Sequence, residues 1–189
     1  MLKSFLYNNV RVKLVPYHGL DTSPETGIAF YVNNGNGGVI GVRVYPDGRK
    51  VQINPDRINW PHKHGKAEYF QFRSAWGKHF FILASHAVYT AWRDKPIPPG
   101  MTIDHINGCT TDNDVRNLRC VSNLVNNRDG GFLHKLQNQG IDTTTIQRAY
   151  LLRYFDRMAK FKASHTASEY QRLTRDDLIR ILYDSDCSL

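Results

Sequence analysis

Asp104 and His105 stand side by side, with Asn117 and Asn126 a short way downstream, so that a carboxylate, an imidazole and two carboxamides fall within one short stretch. Carboxylate and amide oxygens are ligands for a hard divalent cation. Imidazole is the side chain whose ordinary pKa lets it exchange a proton near neutral pH. Asp104 and Asn126 sharing such an ion, with His105 facing a phosphate bound to it, would be a site for metal-assisted chemistry on a phosphate ester. The surrounding run, "IDHINGCTTDNDVRNLRCVSNLVNNRDGG" from Ile103 to Gly131, has few apolar side chains to bury. Its polar density suits a site better than a core.

Positioning those groups requires particular elements. "PIPPGMTIDH" reads as a Pro/Gly loop entering a short strand at Met101 to His105, and "INGCTTDNDVR" as a turn-rich loop. "NLRCV" reads as a second short strand, after which Ser122 caps a helix containing "NLVNNRD". A strand, loop, strand, helix order brings the end of the first strand beside the helix face. Taken singly, Asn107 and Asn113 read as turn formers and His86 as structural.

Upstream, the chain reads as β-rich. Runs at Val10 to Val15, Ile28 to Val32 and Val39 to Tyr45 are separated by Gly, Asn and Pro clusters, and "YPDGRKVQI" looks like a hairpin. A second hairpin is expected from "AEYFQFR" and "KHFFILA", with Phe70, Phe72, Phe80 and Phe81 in the core. A helix follows at Ser85 to Trp92, with Ser85 as N-cap and Val88 and Trp92 on one face. After Gly130 and Gly131 the texture becomes helical. One stripe is expected through Ile146, Ala149, Leu152 or Arg153, Phe155 or Asp156, and Ala159, and Thr174-x-x-Asp177 resembles a capping box. The fold class expected is α+β: a β-rich region over 1–78, the polar motif within 79–131 and a helical C-terminal extension over 132–189.

Composition bounds the partners. Hydrophobic residues at 41% favour a folded chain over a disordered one. The net charge of +8 favours a polyanion, and residues 1–99 hold 13 Lys or Arg against 6 acids, so most of the excess lies there. Cys109, Cys120 and Cys187 are odd in number and form no C-x-x-C pair, which indicates neither a disulfide framework nor thiolate zinc. With no long apolar run and no secretory leader, a soluble cytoplasmic protein without membrane contact is expected.

Asp104-His105, Asn107-Gly108, Asp112-Asn113, Asn117-Leu118-Arg119 and Asn126 together resemble the HNH endonucleases, the ββα-metal nucleases common among phage-encoded and homing enzymes. The resemblance covers about Ile82 to Asp129. It departs from the family's frequent pattern at Cys109, where Asn is common, and at Asp114, where Arg is common; flanking pairs of zinc-binding cysteines are missing. What it implies is a ββα-metal fold in which His105 is general base, Asp104 and Asn126 hold one Mg²⁺ or Mn²⁺, and Asn117 braces the loop that orients His105. Structural zinc is not expected. One site should nick one strand of double-stranded DNA per visit, leaving 5′-phosphate and 3′-hydroxyl ends, in a monomer or homodimer.

Arg119 and Arg128 flank the motif as candidate phosphate clamps, and Lys63, Lys66, Arg73 and Lys78 are candidates for a wider DNA-binding surface. The other readings are a DNA-binding protein that keeps the fold without cutting, and a nuclease toxin. Retention of Asp104, His105, Asn117 and Asn126 together argues against the first, because binding alone needs none of them.

Overall fold

The computed structural model describes residues 4–8, 10–13, 29–32, 39–45, 47–53, 56–62, 65–73 and 79–183. Helices and short strands are both present, with the helices concentrated toward the C-terminus, and the chain is α+β. It divides into two compact units, Met1–Ile103 with Thr110–Cys120, and Asp104–Cys109 with Val121–Leu189. No helix among the described residues is long and apolar enough to cross a membrane.

The first unit begins with β1 (Ser4–Tyr7), β2 (Val10–Lys13), β3 (Ala29–Val32), β4 (Val39–Val44) and β5 (Lys50–Ile53), neighbours in that order in one antiparallel sheet. Val12 and Val42 are fully buried, with Phe5 and Tyr7 packed against them. The β4–β5 hairpin is the one expected from "YPDGR". Gly48 donates its amide to Tyr45 O at 2.8 Å from a φ of 81°, a left-handed conformation in which glycine has no steric penalty.

A second antiparallel sheet follows, formed by β6 (Asp56–His62), β7 (Gly65–Arg73) and β8 (His79–Leu83) in that order. β7 and β8 are the expected second hairpin, with Arg73 opposite His79; the turn between them lies outside the described residues. β6 carries Pro61, and its place at a sheet edge is where a residue without an N–H is tolerated. Of the four phenylalanines expected in the core, Phe81 is half-buried, and the side chains of Phe70, Phe72 and Phe80 lie outside the described residues.

α1 (Ala84–Arg93) continues directly from β8. Ser85 is not its N-cap. The cap position is Leu83, without a side-chain bond, and Ser85 is buried inside the first turn. Trp92 also leaves the expected face and is 49% exposed, because Ala84, Ala87, Val88 and Ala91, spaced at three and four residues, form the stripe that packs with Ile82, Ile103 and Leu118. At the end of α1, Lys13 Nζ donates to Ala91 O at 2.7 Å and sits 3.6 Å from Asp94, placing a cation at the negative end of the helix dipole.

β9 (Met101–His105) and β10 (Leu118–Ser122) form a two-stranded sheet, each strand running from the first unit into the second, with a 3₁₀ turn at Val115–Asn117 before β10. Both strands lie where the sequence suggests, within one residue.

The second unit is mainly helical. α2 (Asn123–Asn138) starts at the expected cap, Ser122 Oγ accepting the amide of Val125 at 3.3 Å. It then runs straight through Gly130 and Gly131, beyond the "NLVNNRD" stretch in which the helix is expected. Each glycine costs a helix about 1 kcal/mol, and burial of Phe132, Leu133 and Leu136 just beyond them outweighs that. The helix stops at Gly140, φ 71°, where the amide of Gly140 reaches Gln137 O at 3.0 Å and that of Ile141 reaches Leu136 O at 3.1 Å, a Schellman closure.

α3 (Arg148–Ser164), α4 (Ala167–Arg172) and α5 (Arg175–Tyr183) complete the unit. The buried stripe of α3 is Leu151, Tyr154, Phe155, Met158 and Phe161 rather than the one expected: Ala149 and Leu152 face solvent, and Ile146 is buried just ahead of the helix. The bulky aromatics set the frame, since their burial outweighs that of an alanine. At α5 the expected capping box is present, Thr174 N donating to Asp177 Oδ2 at 2.9 Å and Asp177 N to Thr174 Oγ1 at 3.3 Å. Thr166 and Glu169 do the same for α4.

Candidate active site

Asp104 and His105 are the last two residues of β9, both half-buried and both in the second unit. The chain turns immediately after them. His105 O accepts the amide of Gly108 at 2.8 Å, and Asn107 Oδ1 accepts the amide of Cys109 at 2.9 Å. Ile106, between them, is buried in the helical core with Phe132, Leu133 and Leu136. Gly108 has a φ of 76°, and a Cβ there would lie 3.2 Å from Leu133 Cδ1, so glycine serves both the conformation and the close approach to α2. Asn107 is thus a turn former, as its type suggests, but a buried one.

Asn126 belongs to α2 in the same unit and is half-buried. It shares a stripe with Asp129, Leu133 and Leu136, at spacings of three and four, and this is the face against which Gly108 rests. Seven residues separate Asn126 from Leu133, about 10 Å along the helix axis. One turn on, Asp129 is buried and accepts from Arg128 Nε at 2.7 Å; this bond holds the guanidinium pKa above its ordinary value. The Arg128 guanidinium carbon also sits 6.0 Å from the centre of the Phe132 ring, so the side chain is oriented from two sides.

Asn117 and Arg119 lie in the first unit. Asn117 is fully buried. Its Nδ2 donates to Asp112 O at 2.9 Å and its amide to Asp114 O at 2.8 Å, which closes the loop from 112 to 117 on itself. Asp114, where the resemblance would have Arg, holds local structure. Its Oδ1 accepts the amide of Arg116 at 2.8 Å and caps the 3₁₀ turn, while Oδ2 pairs with Arg116 Nη2 at 2.6 Å. Asn113 goes beyond turn forming, its Nδ2 donating to Glu68 Oε2 on β7 at 2.8 Å.

Arg119 is half-buried on β10, and His86 is half-buried within α1. Lys66 and Arg73 are on β7, their side chains outside the described residues, as are Lys63 and Lys78 entirely.

Asp104 and Asn126 offer oxygen donors from a strand end and a helix of one unit, which is the donor chemistry of a hard cation completed by water and phosphate oxygens. Among the described residues no group of three or more His, Cys, Asp or Glu side chains gathers as a cage.

Residues 87–128 match the family model of the HNH endonucleases. Over this segment the chain is similar to the HNH endonucleases. The segment extends from α1 through β9, the 3₁₀ turn and β10 into α2, and contains Asp104, His105, Asn117, Arg119, Asn126 and Arg128. Neither the curated proteins nor the solved structures hold a match to the chain. The matched segment ends before Gly140, whose closure ends α2, and Thr143, whose hydroxyl bonds the turn after His105; Gly140-Ile141-Asp142 is a turn signal in the sequence.

Proposed function

We propose that the protein is a metal-dependent DNA endonuclease that cuts one phosphodiester bond per visit and leaves 5′-phosphate and 3′-hydroxyl ends. The observation that carries this reading is the coincidence of the HNH match with the local geometry: Asp104-His105 at a strand end, and the turn that follows seated on the α2 stripe that contains Asn126.

In this reading His105 takes the proton from the attacking water, a role suited to imidazole at neutral pH. Asp104 and Asn126 hold one Mg²⁺ or Mn²⁺ through oxygen. When bound, the ion neutralises charge building on the phosphate and on the departing 3′ oxygen. Asn117 keeps the 112–117 loop closed, and Arg119 and Arg128 clamp neighbouring phosphates. Arg128 suits this best, because Asp129 and Phe132 hold its side chain in one orientation. Residues 79–131 are the nuclease core, 1–78 a DNA-binding region to which Lys63, Lys66, Arg73 and Lys78 contribute positive charge, and 132–189 a helical extension. With one site per chain, a double-strand break requires a second copy or a second visit.

The test is a supercoiled plasmid incubated with the purified chain, with and without Mg²⁺. Nicked circles should accumulate before linear product, and DNA ligase alone should reseal them. Equal cutting in excess EDTA, or no cutting with either Mg²⁺ or Mn²⁺, would overturn the proposal.

A further inference from the structure

The turn that follows His105 is held from outside the HNH segment. Thr143, in the connection between α2 and α3, is 1% exposed, and its hydroxyl donates to Asn107 O at 2.8 Å. Thr143 Oγ1 in turn accepts from Gln137 Nε2 at 3.1 Å, so both the hydroxyl's donor and an acceptor site are used. Its position is itself fixed. The Schellman closure at Gly140 and Ile141 sets the exit from α2, and Asp142 Oδ1 accepts the amide of Thr144 at 2.9 Å, folding the chain around Thr143. A bonded hydroxyl buried this completely is costly to lose, because the carbonyl it satisfies cannot turn to water.

The geometry points to Thr143 as a positioning residue for His105. The line of contact is short: Thr143 Oγ1 to Asn107 O, then through the turn that closes with Gly108 N on His105 O. Ile106 and Gly108 pin that turn to the helical core and to Leu133. They fix where the turn lies, and the Thr143 bond fixes how its peptide plane is rotated, which sets the direction of the strand end that carries the imidazole. The helical extension is therefore a working part of the nuclease rather than an appendage. This inference rests on the reading of His105 as the base.

The full-length chain is compared as wild type, Thr143→Val, which keeps the volume and removes the hydroxyl, and Thr143→Ser, which keeps the hydroxyl. Three quantities are measured: equilibrium binding to a duplex oligonucleotide in EDTA, nicking of supercoiled plasmid at saturating protein, and the His105 ring signals in ¹⁵N-labelled protein, assigned by their loss in His105→Ala. Thr143→Val should bind within about twofold of wild type, cut about ten- to a hundredfold more slowly and shift the His105 ring signals. Thr143→Ser should restore both rate and signals. A folded Thr143→Val that cuts at the wild-type rate with unmoved His105 signals overturns the inference, and so does failure of Thr143→Ser to restore them. If Thr143→Val does not fold, Gln137→Leu, which removes the amide partner of the hydroxyl, should move rate and signals in the same direction; unmoved signals there overturn it equally. Wild-type cutting by His105→Ala would instead defeat the role of His105 as base, while the ring signals would still report whether Thr143 sets its orientation.

Discussion

The side chain of Asn117 donates to the backbone carbonyl of Asp112 at 2.9 Å from a fully buried position, so that the loop between them is closed by a side chain rather than by a strand ladder. Removing a buried donor strands its acceptor. Asn117→Ala should therefore lower stability by about 1–3 kcal/mol in chemical denaturation, whatever it does to cleavage. A variant as stable as wild type would mean that the loop is held by other bonds.

Asp104 faces the other way in its energetics. If it holds a cation against phosphate, then without the ion its carboxylate repels DNA, and Asp104→Ala should abolish cleavage yet tighten metal-free binding up to about fivefold at low salt, the equivalent of ~1 kcal/mol for charges about 4 Å apart in water. Binding titrations in EDTA check this, and weaker binding by the variant would count against the placement of Asp104.

Most DNA affinity should reside in the N-terminal region, where the charge excess is concentrated. Neutralising Lys63, Lys66, Arg73 and Lys78 together should weaken binding to all sequences alike. The slope of log affinity against log salt should flatten by about 0.9 for each phosphate that is no longer neutralised. An unchanged slope would remove these four residues from the interface.

The α5 capping box gives a pH dependence whose sign is fixed. The Thr174 hydroxyl and amide bonded to its carboxylate hold Asp177 below the ordinary aspartate range. A depressed folded-state pKa contributes stability above the unfolded value, lost as pH falls through the folded one. Thr174→Ala should cost about 1 kcal/mol at pH 7 and progressively less as pH falls below about 4 and Asp177 becomes protonated in wild type. Melting curves of both proteins across that range test it; a cost that stays constant with pH would separate the cap from the carboxylate.

Local signals made much of this fold legible. Met101 to His105, the Ser122 cap, the Gly48 hairpin and the Thr174–Asp177 box each depend on residues within a few positions of one another, and each stands where the sequence suggests. What misled was burial decided elsewhere. Gly130 and Gly131 are weak helix formers, but Phe132, Leu133 and Leu136 draw α2 onward through them into a core shared with α3 and α5. Ser85 looks like a cap, but β8 feeds α1 without one. The α3 stripe was ambiguous between frames until Tyr154 and Phe155 found a core to enter. At the candidate site the oxygen-bearing side chains and the histidine stand out by type, whereas Thr143 does not, since a threonine bonded to a carbonyl 36 residues away leaves no local pattern.

If His105 moves a proton, its loss should spare everything except cleavage. The most direct measurement is nicking of supercoiled plasmid by His105→Ala beside wild type, with DNA binding and melting recorded on the same samples. Cleavage should fall by about 10²- to 10⁴-fold while binding and melting temperature stay close to wild type. Wild-type cutting by the variant would contradict this role, as would a collapse of binding and stability in parallel with activity.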